Sequence, residues 1–96
     1  MFEPAQLRSF LAVADTLSFT KAAERLGLAQ PTISQHIRKL EAAAKRSLIT
    51  RDTRDVRLTD NGDAMAGFAR NILSVHDAAA RYFSGSAMRG DRKSVV

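Results

Sequence analysis

Apolar residues recur three and four positions apart through the first 44 residues, a period that predicts three helices. Leu7, Phe10, Leu11 and Ala14 place the first at about Pro4–Thr16, opened by a proline that suits the first helical position. Phe19, Ala22, Ala23 and Leu26 form the stripe of a second, from Phe19 to about Leu26. Ser18 is placed to cap it, and Gly27 can take the left-handed conformation that ends it. Ile33, Ile37, Leu40 and Ala44 share one side of a third helix, from about Gln30 to Ala44. Only Gly27-Leu28-Ala29 separates the second helix from the third, the spacing of a helix-turn-helix.

The pattern changes at Ser47. Leu48, Ile49, Val56 and Leu58 flank the polar tip Arg51-Asp52-Thr53-Arg54-Asp55, which predicts a short, twisted two-stranded hairpin, or wing. Thr59 then caps a fourth helix, with Asp60 and Asp63 near its positive end. This helix is read to about Phe83, roughly 36 Å long. Met65, Phe68, Ile72, Val75, Ala79 and Tyr82 recur along it at alternating spacings of three and four, a heptad seam. Part of the seam can pack on the first helix. No element of so short a chain covers all of it, so an antiparallel or crossed pair of these helices in a homodimer is expected. Residues 84–96 are small, polar and aperiodic, and are expected to form a mobile tail. The expected architecture is mainly α: a winged helix-turn-helix over residues 1–59, a linker and dimerisation helix over 60–83, and the tail. There is no internal repeat.

Composition adds limits. At 45% hydrophobic and 26% charged residues the chain has the balance of a folded domain. With no cysteine, disulfides and thiolate zinc sites are excluded, and a reducing cytoplasm fits. No apolar run is long enough for a membrane span, and Met-Phe-Glu-Pro lacks the basic-then-apolar pattern of a secretory signal.

Charge changes the picture more. Fifteen Lys and Arg against ten Asp and Glu leave +5. Basic charge can serve solubility alone, but here it is clustered. Arg38, Lys39, Lys45, Arg46, Arg51, Arg54 and Arg57 face only Glu41, Asp52 and Asp55 between residues 38 and 57, whereas residues 1–37 are neutral. The clustering favours a polyanion as partner.

Opposite its apolar stripe, the third helix presents Pro31, Gln35, Arg38 and Ala42, with Thr32, Ser34 and Lys39 beside them and Gln30 at the tip. The plain reading is a solvated face. The sharper one is a major-groove reader, because Gln can pair with adenine, and Ser and Thr can bond bases or phosphates. Arg38 and Lys39 lie further along, where phosphate neutralisation is expected. Arg51, Arg54 and Arg57 on a narrow hairpin can reach phosphates or a minor groove, or can pair with Asp52 and Asp55 on the surface. His36, at the edge of the exposed side of its helix, and His76, beside the seam, are forty residues apart without ligand-spaced neighbours. No metal, cofactor or catalytic residue is expected, nor an enzyme.

The stretch Leu7–Gly62 resembles the N-terminal DNA-binding domain of LysR-type transcriptional regulators. The matching residues include Leu7-Arg8-Ser9-Phe10-Leu11-Ala12-Val13-Ala14, Ser18-Phe19-Thr20-Lys21-Ala22-Ala23, Leu26 and Gln30-Pro31-Thr32-Ile33-Ser34. Ile37, Leu40-Glu41, Leu48, Arg51, Arg54, Val56, Leu58-Thr59 and Gly62 complete them. The resemblance implies a bacterial-type regulator that binds double-stranded DNA as a homodimer, at promoters of its own or neighbouring genes. A higher oligomer is open if a longer chain exists. By position it implies Gln30, Pro31, Thr32, Ser34 and Gln35 at base edges, with Arg51 and Arg54 as wing arginines. Lys21, Arg38 and Lys39 are assigned to the backbone.

The chain departs from the family at Ala29 (usually a Ser or Thr cap), Ala44-Lys45 (usually Leu-Gly), Ile49 (commonly Phe) and Asp55 (usually small or neutral). It also lacks the family's effector-binding domain, so no small-molecule effector site is expected in this chain. It is then either part of a longer regulator, which the plain tail favours, or a stand-alone binder. From another class, the alternative is a small helical protein-interaction module with an incidental basic patch.

Overall fold

The computed structural model describes residues 2–51 and 55–89, excepting the side chains of Arg51 and of residues 85–89. Helices α1 (Pro4–Thr16), α2 (Phe19–Leu26) and α3 (Gln30–Ala44) are followed by strands β1 (Ile49–Arg51) and β2 (Val56–Leu58) and by α4 (Asp60–Arg89). The first three helices have the bounds their periodicity predicts. The local reasons are visible at their ends. The Ser18 hydroxyl accepts the Lys21 amide at 3.1 Å and opens α2. Gly27, at φ 67°, closes α2 with its amide on the carbonyls of Ala23 and Glu24. Ala29 begins α3 with no side-chain cap.

The two strands pair antiparallel, Ile49 opposite Leu58 and Arg51 opposite Val56. Thr59 both caps and anchors α4. Its hydroxyl donates to the Ser47 carbonyl at 2.6 Å and accepts the Gly62 amide at 3.0 Å. Gly62 lies where a Cβ would overlap the Leu48 carbonyl oxygen, so α4 starts hard against the wing.

Leu7, Phe10 and Val13 of α1, Ile33, Ile37 and Leu40 of α3, and Ala22 of α2 are fully buried, with Leu48 and Ile49 closing the core beneath the wing. Each large side chain among them contributes about 1.5–3 kcal/mol through its burial. α4 lays Met65, Ala66, Ala69 and Leu73 onto this core. Two expectations change here. α4 runs to Arg89, six residues beyond Phe83, so residues 84–89 continue the helix; residues 90–96 lie outside those described. Met65, at 7% exposure, belongs to the core rather than to the seam. It sits on the border between two stripes of α4, and the stripe set by Ala66, Ala69 and Leu73 takes it.

Candidate nucleic-acid interface

The geometry of α3 divides cleanly. Ile33, Ile37 and Leu40 face the core, whereas Gln30, Pro31, Gln35, Arg38 and Lys39 are exposed and Thr32 and Ser34 are half-buried beside them. Pro31 in the first turn removes no helical hydrogen bond. Gln30 and the first-turn side chains therefore stand at the free, positive end of a helix held rigidly from behind. Lys21, on the first turn of α2, is also exposed. The five residues assigned to base edges thus lie together at one end of one helix, with Arg38 and Lys39 continuing the surface toward its other end.

Of the wing, β1 and β2 are described and the tip is not. Arg51 is the last residue of β1, and Arg54 lies outside the described residues. Arg57, on β2, pairs with Asp55 at 3.3 Å, the surface pairing that the sequence left open for it. The wing's base is tied to α3 by Glu41, which sequence reasoning passed over. Its carboxylate accepts the amides of Leu48 at 2.9 Å and Ile49 at 3.2 Å. Wing and recognition helix are thus one unit, joined by a charge-assisted link.

His36 corrects its expected place. It is half-buried, with Nδ1 2.7 Å from the hydroxyl of the fully buried Ser9 on α1, so it fastens α3 to α1 rather than edging the open face. His76 is exposed and its ring approaches Asp77 at 3.5 Å. Among the described residues no cluster of His, Cys, Asp and Glu could hold a metal ion, and no helix is long and apolar enough to cross a membrane.

On α4, Phe68 (64% exposed), Ile72 (39%), Val75 (70%) and Tyr82 (67%) keep the predicted seam at the surface. Ala79 is exposed with them, and Phe83 (74%) extends the stripe sideways, its ring packed edge-on to Tyr82 at 5.0 Å. So large a run of exposed apolar side chains on one helix marks an interaction surface.

A helix-turn-helix with a free polar recognition face, backed by a two-stranded wing and a long helix across its first, defines a winged helix-turn-helix DNA-binding unit. Residues 4–63 match the model of the bacterial regulatory helix-turn-helix protein, lysR family. The chain belongs to that family, as its helix-turn-helix DNA-binding domain.

It is 43% identical over 90 residues to the HTH-type transcriptional regulator BudR of Raoultella terrigena, covering 94% of this chain and 31% of BudR. It is 45% identical over 73 residues to the regulator PtxR of Pseudomonas aeruginosa, covering 76% of this chain and 23% of PtxR. The chain thus spans a third or less of either relative. The crystal structure of the BenM DNA-binding domain with catB site 1 DNA is similar over 94% of this chain and 99% of that one, with 36% identity and a TM-score of 0.83. The complex of the CbnR DNA-binding domain with DNA matches over 88% of this chain and 98% of that one, with 34% identity and a TM-score of 0.81.

Proposed function

We propose that the chain acts in transcriptional regulation by binding double-stranded DNA as a homodimer, with α3 in the major groove. Gln30, Pro31, Thr32, Ser34 and Gln35 meet base edges. Lys21, Arg38 and Lys39 meet phosphates, and Arg51 and Arg54 carry the wing to the backbone or the adjacent minor groove. The seam of Phe68, Ile72, Val75, Ala79 and Tyr82 joins two protomers, so that two recognition helices meet half-sites about 34 Å apart or a multiple of that. This work is done in the cytoplasm and needs no cofactor or catalytic residue; the relatives are transcriptional regulators.

The observation that carries the reading is the uncapped start of α3, whose first two turns expose Gln30 and Gln35 with basic residues behind them. The similar domains that bind DNA support it. Selection of bound fragments from random duplex DNA tests it. A palindromic consensus is expected, with Gln30→Ala relaxing base preference at one position per half-site. Arg38→Ala should weaken binding to all sequences alike and flatten the salt dependence by about 0.9 for each phosphate no longer neutralised. Recovery of no consensus would refute base reading. A protein-interaction module gripped through its apolar seam would show little dependence on salt.

A further inference from the structure

Two ion pairs join α1 to α4, and neither belongs to the DNA-facing surface. Arg8 meets Asp77 at 3.0 Å, and Asp15 meets Arg70 at 2.9 Å. The rungs are seven residues apart on each helix, which makes α1 and α4 antiparallel, and they run in opposite sense. α1 offers a cation and then an anion, and α4 answers with the anion and then the cation. Asp15 also lies 3.7 Å from Arg25 of α2, so its rung is braced against the helix-turn-helix itself.

The apolar contact beneath them is built from Met65, Ala66, Ala69 and Leu73. Thr59 and Gly62 fix where α4 starts, and so fix its register, but the small side chains of Ala66 and Ala69 leave the angle at which its far half crosses α1 weakly specified. Both rungs lie beyond that anchor, at Arg70 and Asp77. Swinging α4 away from its seat parts both pairs, and the attraction between opposite charges falls as they separate.

We infer that Arg8–Asp77 and Asp15–Arg70 lock the tilt of α4 on α1 and thereby set the half-site separation that the homodimer accepts. The inference rests on the homodimer reading proposed above. The lever is long enough for small tilts to matter. Across a molecule 25 Å wide, a tilt of about 8° moves the far side by about 3.5 Å, about one base-pair step. The four residues are positioning residues: they touch no DNA and act through α4.

The test uses the full chain and its Arg8→Asp, Asp77→Arg and Arg8→Asp/Asp77→Arg variants. Affinity is measured for selected palindromic duplexes whose half-site spacing is lengthened or shortened by one and two base pairs, alongside thermal melts. The parent should prefer one spacing. Each single variant should narrow the ratio of best to off-spacing affinity by about threefold, the scale of one exposed ion pair, and the double variant should restore it. A purely stabilising role would shift melting while leaving the spacing profile unchanged. A profile shared by all four proteins, or one the double variant fails to restore, overturns the lock alone. A parent that binds as a monomer overturns the homodimer reading, and the lock with it.

Discussion

Lys45 closes α3 in the left-handed conformation, at φ 57° and ψ 36°, with its amide on the Glu41 carbonyl. Among the described residues only Leu17 and Lys45 take positive φ without being glycine. A Cβ in that region costs about 1–2 kcal/mol, whereas glycine's extra freedom in the unfolded chain offsets about 0.5–1 kcal/mol of any gain. Lys45→Gly should therefore stabilise the domain by a net of about 0.5–1 kcal/mol. At about 4–8 °C per kcal/mol for a domain of this size, the melting temperature should rise by about 2–8 °C. Lys45→Ala is the control, since it removes the same charge but keeps the Cβ. Its melting temperature should stay level or fall slightly, because a cation near a helix C-terminus contributes a few tenths of a kcal/mol. Circular dichroism melts of the three proteins decide the matter. Equal melting of the Gly and Ala variants, or a lower value for Gly, would refute the strain argument.

Gly62→Ala should destabilise, by about 1–3 kcal/mol in chemical denaturation, because the new methyl meets the Leu48 carbonyl; the gain that alanine ordinarily brings to a helix would contradict this. Glu41→Ala strips the acceptor from the Leu48 and Ile49 amides and should cost about 1–3 kcal/mol, partly recovered by Gln, whose amide oxygen can still accept; an unchanged denaturation midpoint would count against the link. Arg8 first, and His76 second, hold the Asp77 carboxyl below its ordinary value of 3.8. A depressed carboxylate stabilises above its unfolded value and loses that contribution as pH falls through the folded one. Asp77→Asn should accordingly melt slightly below the parent at pH 6, with the gap closing below about pH 4; a gap that persists at pH 2 would remove the assignment.

The sequence made the three short helices and their ends legible because the information is local. Ser18, Gly27 and the capping bond of Thr59 to the Gly62 amide act on backbone groups within a few residues, and the Ile33-Ile37-Leu40 stripe needs only the helical period. The wing strands were legible for the same reason. What escaped is tertiary. Nothing near Ser9 or His36 in the sequence announces that they meet, and Glu41 looks like a solvated helix charge until its carboxylate is seen under the wing. Met65 reads as a seam residue because alanines at 66 and 69 mark a core stripe too faintly to compete with Phe68 and Ile72. The last turns of α4 are hidden because Ser84-Gly85-Ser86 lacks period, although a helix already formed propagates at little further cost. Of the assigned DNA-binding residues, those on α3 lie together on one exposed surface, whereas Arg54 falls outside the described residues.

That two copies of this chain read one duplex through the first two turns of α3 is tested most directly by the stoichiometry of the chain on a selected palindromic duplex, measured by sedimentation across a salt series. Two chains per duplex are expected, with affinity falling by about three to five decades between about 50 and 200 mM salt if six to ten phosphates are neutralised. One chain per duplex, or equal affinity for a scrambled duplex of the same length, would contradict it.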